Sequence, residues 1–220
     1  MLEKDGRLLA SVSLSALRKN LKAYRRFPLF SVPEALMNSA GTQLPILIIA
    51  ANTKNAEAGF LMLAMLVMST PLALIGRSVG QVYLAEAAAR HRAGTLGAFT
   101  RKAAWSLFAY SFVPIAVLGL AAPFLFKLGF GDEWARAGVI VQWMIPWVIL
   151  QFVASPLTAI LHATGRLPAA MFLQILGFTI RVGSVLLAVT WANTQITEIY
   201  AVSGAVFYGI NILVILKAAK

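Results

Sequence analysis

The chain contains no cysteine. That excludes a disulfide framework, a thiolate metal site and a cysteine nucleophile. Its two histidines, His91 and His162, stand far apart in or beside polar connections, where an interfacial role suits them better than metal ligation. Acids are scarce as well, with 8 Asp and Glu against 19 Lys and Arg. Charged residues make up only 12% of the chain, about half the share usual in a soluble domain. No acidic pair falls within an apolar run, and no HExxH, GxSxG or P-loop pattern occurs. A catalytic reading therefore has nothing to stand on, and neither enzyme activity nor a cofactor is expected.

What the sequence has in abundance is apolar length. Of 220 residues 60% are hydrophobic, and mean hydropathy is +0.79. This composition predicts an all-α integral membrane protein, because helices satisfy their own backbone in lipid and open strands do not. A hydrocarbon core of about 30 Å takes roughly 20 apolar residues in helix. Six runs qualify, at about 28–51, 57–82, 104–127, 138–161, 169–191 and 198–216. The expected organisation is a cytoplasmic basic segment over 1–26, a six-helix transmembrane lobe over 27–216, and a cytoplasmic tail over 217–220. Residues 1–26 lack the apolar core of a secretory signal;.

The basic residues fall on one side. Lys4, Arg7, Arg18, Lys19, Lys22, Arg25, Arg26, Arg90, Arg92, Arg101, Lys102, Arg166, Lys217 and Lys220 share it, which is 14 of the 19. Lys54, Lys127 and Arg136 lie on the other, and Arg77 and Arg181 fall inside spans. The positive-inside rule then places both termini in the cytoplasm, and accounts for the net charge of +11 without nucleic acid as a partner;. In "LSALRKNLKAYRRF", Leu14, Leu17, Leu21 and Tyr24 recur at helical spacing among basic residues, as in an amphipathic helix lying on anionic lipid;. The 86–103 stretch is also basic and is expected to be partly helical. For both, a topology anchor with no specific ligand is the favoured reading. On the opposite side, "LGFGDEWARAG" combines a glycine turn, Asp132 as a helix cap and Trp134 at the interface;.

Polar residues inside the spans line up at helical spacing. The stripes are Ser31, Glu34, Asn38 and Thr42; Thr70, Arg77 and Gln81; Gln151, Ser155, Thr158 and His162; Gln174, Gly177, Arg181 and Ser184; and, more weakly, Tyr200, Gly204, Tyr208 and Asn211;. The third span has almost no polar residue at its middle and is expected to face lipid. Glu34 and Arg77 lie near the cytoplasmic side, within snorkelling reach of water and of each other. Arg181 lies twelve residues past Ala169, about 18 Å along the helix axis and beyond the bilayer centre;. Such an arginine costs roughly 2.5–3.5 kcal/mol to insert. It is expected to face a wet cavity or an anionic ligand, with bonding to backbone carbonyls and helix ends as the alternative. The candidate cavity residues are Arg181, Arg77, Glu34, Asn38, Gln151 and Gln174, and a cavity lined by arginines and amides favours anions such as phosphate. Prolines interrupt the first four spans, at Pro28, Pro33, Pro45, Pro71, Pro114, Pro123, Pro146 and Pro156, as in transporters built from bent helices;.

Four stretches carry a family resemblance: "YRRFPLFSVPEALMNSAGTQLPILII" (24–49), "AGFLMLAMLVMSTPLALIGRSVGQVYL" (58–84), "FGDEWARAG" (130–138) and "QFVASPLTAIL" (151–161). In their order and spacing the chain resembles the C-terminal half of bacterial polysaccharide-biosynthesis flippases, including O-antigen flippases, of the MOP exporter superfamily. The resemblance implies one lobe of a two-lobed (MATE-like) transporter in the bacterial inner membrane, with a cationic cavity between the lobes. It implies an undecaprenyl-pyrophosphate-linked oligosaccharide as the partner, its anionic head held in the cavity by Arg181 and Arg77 and its tail among membrane lipids. Family members have twelve or more spans, so a six-span chain is expected to be a fragment, or to need an N-terminal lobe or a second copy to close the cavity. An inactive or scaffold membrane fragment, and a drug or cation exporter of the same superfamily, are the competing readings. The exporter predicts an acidic cavity, which a lone Glu34 against two arginines does not supply.

Overall fold

The computed structural model describes residues 26–53 and 56–219, and the expected amphipathic segment lies outside them but for its last two residues, Arg26 and Phe27. Among the described residues there is no strand. Six long helices follow one another: α1 (Arg26–Asn52), α2 (Glu57–Arg92), α3 (Leu96–Phe130), α4 (Ala135–Ala163), α5 (Leu167–Trp191) and α6 (Ile196–Ala218). Short 3-10 turns at Asp132–Trp134 and Asn193–Gln195 lead into α4 and α6. Each expected span forms one helix. Five of the six are long and apolar enough to cross a membrane. The exception, α1, has the length, but Glu34, Asn38, Thr42, Gln43 and Asn52 dilute its apolar content.

The polar connection expected at 83–103 is mostly helix. α2 runs 36 residues and α3 35, so each reaches well beyond a 30 Å hydrocarbon core at 1.5 Å per residue. The turn between them shows why the chain reverses there. Gly94 takes φ +68°, and the Thr95 amide bonds back to the Arg90 carbonyl. This is the left-handed glycine closure of a helix C-terminus, which satisfies carbonyls that would otherwise lack donors. Gly165, at φ +70°, closes α4 in the same way, with the Arg166 amide on the Leu161 carbonyl.

Packing does not follow chain order. Of the five apolar spans α4 is the most buried and α2 the least. α4 packs against α2, α3 and α6, α6 packs in turn on α5, and α5 carries α1. α1 and α2, though joined by a short turn, touch far less than α1 and α5 do. The core runs along α4 in two clusters. Ile140, Met144, Trp147 and Val148 meet Leu61, Val185 and Tyr200 in one, and Leu157, Ile160 and Leu161 meet Tyr83, Leu173 and Ile215 in the other. Glycine permits the closest approach: a Cβ on Gly138 of α4 would lie 2.4 Å from the Cα of Pro123 of α3. As expected for a lipid-facing span, α3 leaves Tyr110, Val113, Val117, Leu120, Phe124 and Leu128 exposed on the lobe surface.

Candidate functional site

The splaying of α1 from α2 opens a groove floored by α4. One cavity in it, of about 350 Å³, is lined by Ser69, Gly76, Arg77 and Gly80 of α2 and by Gln151, Ser155 and Pro156 of α4. The facing helices meet at Gly80, whose Cβ would lie 3.6 Å from the Cα of Pro156, while Gly76, one turn earlier, faces open space. A second cavity, of about 530 Å³, adjoins it through Ser69 and lies between Thr42, Gln43 and Ile46 of α1 and Met62, Leu63 and Leu66 of α2. The structure thus brings together two of the six candidates, Arg77 and Gln151. Arg77 is exposed and has no ion-pair or hydrogen-bond partner among the described residues. A guanidinium, an amide and two hydroxyls converge there on a space walled by apolar side chains, a donor set suited to phosphate oxygens.

Glu34 and Asn38 stand one turn apart on α1. The expected pairing of Glu34 with Arg77 is not what the structure has. Glu34 Oε2 instead lies 3.1 Å from His162 Nε2, at the end of α4. α1 leans on α5 rather than on α2, so Arg77 is carried away from it. Asn38 is exposed, and its carbonyl accepts a hydrogen bond from the Thr42 hydroxyl.

Arg181 and Gln174 lie elsewhere, on α5. The expectation that Arg181 faces water gives way here: it is 1% exposed and lines neither cavity of the groove. Its guanidinium carbon lies 4.4 Å from the Phe207 ring centroid, 5.3 Å from Tyr208 and 5.8 Å from Trp147. Glycines admit those rings. A Cβ on Gly177, one turn before Arg181, would lie 2.6 Å from Phe207, and a Cβ on Gly204 2.3 Å from Trp147. Arg181 is held as a cation among π faces, and its Nε and Nη2 have no hydrogen-bond acceptor among the described residues. Gln174, two turns along α5, is half-buried.

A further polar cluster was not anticipated by sequence. Arg136, in the first turn of α4, places Nη2 2.6 Å from Glu57 Oε1 at the start of α2 and 2.6 Å from Glu198 Oε1 at the start of α6. The buried Thr197 hydroxyl donates to Glu57 Oε1 at 2.7 Å. Both carboxylates sit in first turns, where the helix dipole also favours a negative charge;. The one signal available beforehand was an acid in the first turn of two helices that start on the same side as Arg136.

Comparison with known proteins bears on more than half of the chain. A sequence-family model described as "Polysaccharide biosynthesis protein" matches residues 8–138, through α1, α2 and α3 and into α4. No curated protein and no solved structure matches the chain.

Proposed function

Because the chain belongs to the polysaccharide biosynthesis protein family, we propose that it is one lobe of a flippase that moves an undecaprenyl-pyrophosphate-linked oligosaccharide across the bacterial inner membrane. In this reading the protein performs no covalent chemistry. The pyrophosphate is recognised in the groove between α1, α2 and α4, with Arg77 supplying the charge and Gln151, Ser69 and Ser155 the neutral hydrogen bonds. Glu34 and His162 stand at the rim on the side of the termini, and Asn38 on the α1 wall. Arg181 acts from behind that wall, its guanidinium shared between Trp147 of α4 and the Phe207 and Tyr208 rings of α6, and Gln174 shares its helix face. An N-terminal lobe, or a second copy, closes the open side of the groove. The termini are cytoplasmic, by the same charge asymmetry that orders the connections.

The observation that carries the reading is Arg77: a guanidinium with no partner among the described residues, in a groove that α2 and α4 leave open within a membrane bundle. Exposed and facing the groove, that charge is available to an anionic head passing through it;. Pro71, Pro146 and Pro156 lie inside α2 and α4, where each removes a backbone hydrogen bond and permits a bend in the helices that line the groove.

The test is complementation. The chain is expressed with a matching N-terminal lobe in a strain lacking its own O-unit flippase, and surface polysaccharide is measured. Restoration is expected with the unaltered chain, less with Arg77→Lys, and at least tenfold less with Arg77→Ala at equal membrane abundance. Undiminished surface polysaccharide in Arg77→Ala would remove Arg77 from the transport path.

A further inference from the structure

The far end of α2 and the start of α3 form a second groove, remote from Arg77 and built differently. Its cavity is about 630 Å³, within the range of small-molecule sites;. Glu86 and Arg90 of α2 face Lys102 and Ser106 of α3 across it, with Thr95 near the turn. On α3 the lining positions 98, 99, 102, 103 and 106 recur at helical spacing, so one continuous face of α3 looks into the groove;.

Several contacts brace the Arg90 side of the groove before anything binds. The Tyr83 hydroxyl and the Thr100 hydroxyl lie 2.7 Å apart in a buried contact between the two helices. The Tyr83 ring stacks on Phe99 at 5.4 Å, and the Arg90 guanidinium lies over the other ring of that stack, 5.3 Å from the Phe99 centroid. The one acid in the groove, Glu86, reaches Arg90 only at 3.7 Å, with both side chains about half exposed. Lys102 has no partner among the described residues. Arg92 and Arg101 add further positive charge close by. The groove therefore has an uncompensated positive end, oriented by an aromatic brace.

Its level in the membrane follows from Trp105, which is exposed on α3 one turn from Lys102, as tryptophans at the headgroup boundary are. Farther along the same helices from the turn, Val82 and Ile75 on α2 and Tyr110 and Val113 on α3 are exposed and apolar. Cations at one end and open hydrocarbon-facing surface beyond describe the complement of an amphiphile with an anionic head.

We propose that the groove between the ends of α2 and α3 binds an anionic membrane phospholipid. The phosphodiester rests on Arg90 and Lys102, Thr95 and Ser106 offer hydroxyls to the headgroup, and the acyl chains run along the exposed flanks of the two helices. The site is separate from the transport groove. It requires only that the α2–α3 hairpin lie at a membrane surface, so it stands or falls independently of the flippase reading.

Native mass spectrometry of the full chain in non-ionic detergent, titrated with phosphatidylglycerol or with phosphatidylcholine, tests it. The unaltered protein is expected to retain phosphatidylglycerol in preference to phosphatidylcholine. Each cation near an anionic headgroup contributes roughly a fivefold factor, so Arg90→Gln with Lys102→Gln should weaken binding about 25-fold. Lys127→Gln, at the opposite end of α3, should leave it unchanged. If the double variant does not fold, Ser106→Phe narrows the groove with both cations kept, and should still release the lipid. Equal retention of the two lipids, or unaltered phosphatidylglycerol binding in the double variant or in Ser106→Phe, would overturn the proposal. Full displacement by millimolar inorganic phosphate would overturn the lipid assignment in favour of a soluble phosphate ligand.

Discussion

Among the described residues Arg136 is the single cation joining the first turns of three helices, and replacing it with methionine isolates two carboxylates. Glu57 and Glu198 each place an oxygen 2.6 Å from the same Arg136 nitrogen, so those oxygens are no more than about 5 Å apart. Two unit charges at about 5 Å repel by roughly 3 kcal/mol at an effective dielectric of about 20. Their side chains are only 16% and 14% exposed, while that of Arg136 is 32% exposed. Removing one partner of a fully buried pair costs about 3–5 kcal/mol, and the partial exposure here brings the expected loss for Arg136→Met to about 2–3 kcal/mol. Adding Glu57→Gln and Glu198→Gln to Arg136→Met removes the orphaned charges and should recover all but about 1 kcal/mol. Unfolding of the purified protein in mixed micelles, titrated with a denaturing detergent near pH 7.5, measures both. A loss below about 0.5 kcal/mol for Arg136→Met would refute the reasoning, because the charges would then be solvated as surface groups are. So would a triple variant no more stable than Arg136→Met, since repulsion would not be the source of the loss.

Three other outcomes follow from the same geometry. Arg181→Met should leave stability unchanged or raise it by about 1 kcal/mol, since two unpartnered guanidinium nitrogens cost about as much as the ring contacts return; Arg181→Ala should lose about 2–4 kcal/mol through the cavity it opens. The same micelle titration checks both, and a large loss in Arg181→Met would show the charge itself to be stabilising. Gly138→Ala places a methyl 2.4 Å from Pro123 Cα, against backbone that cannot swing aside, and should cost about 1–3 kcal/mol in that titration. His162→Gln, which removes the imidazole from Glu34 at a partly exposed site, should change stability by about 1 kcal/mol or less, and a larger effect would mean that the contact carries more of the α1–α4 association than its exposure allows.

The helices were legible in the sequence because apolar length is a direct consequence of bilayer thickness. Their ends were less so: α2 and α3 continue through Arg90 and Lys102, where hydropathy falls but α2 does not stop until Arg92, just before the Gly94 turn. Stripes of polar residues identified helix faces correctly but not what each face meets. Arg77 and Arg181 look alike in such a stripe, yet one opens on a groove and the other is enclosed by rings contributed by α4 and α6. The enclosing residues did leave a trace, in Gly177 one turn from Arg181 and in the aromatic pair Phe207 and Tyr208 at matching depth on the next helix. The Arg136 cluster was hidden for a different reason. Its three members are separated by 79 and 62 residues, and each, taken singly, is an ordinary charge at a helix end. Only the packing of α2, α4 and α6 makes them neighbours.

That α1 rests on α5 rather than on α2 has a consequence for biosynthesis. α1 is the helix whose composition least favours lipid, and the surface that covers it is made more than a hundred residues later in translation. A ribosome-bound chain ending before Leu167 would present α1 to the insertion machinery without its partner. Its stable integration then depends on the arrival of α5, so that the segment synthesised first among these helices is secured among the last.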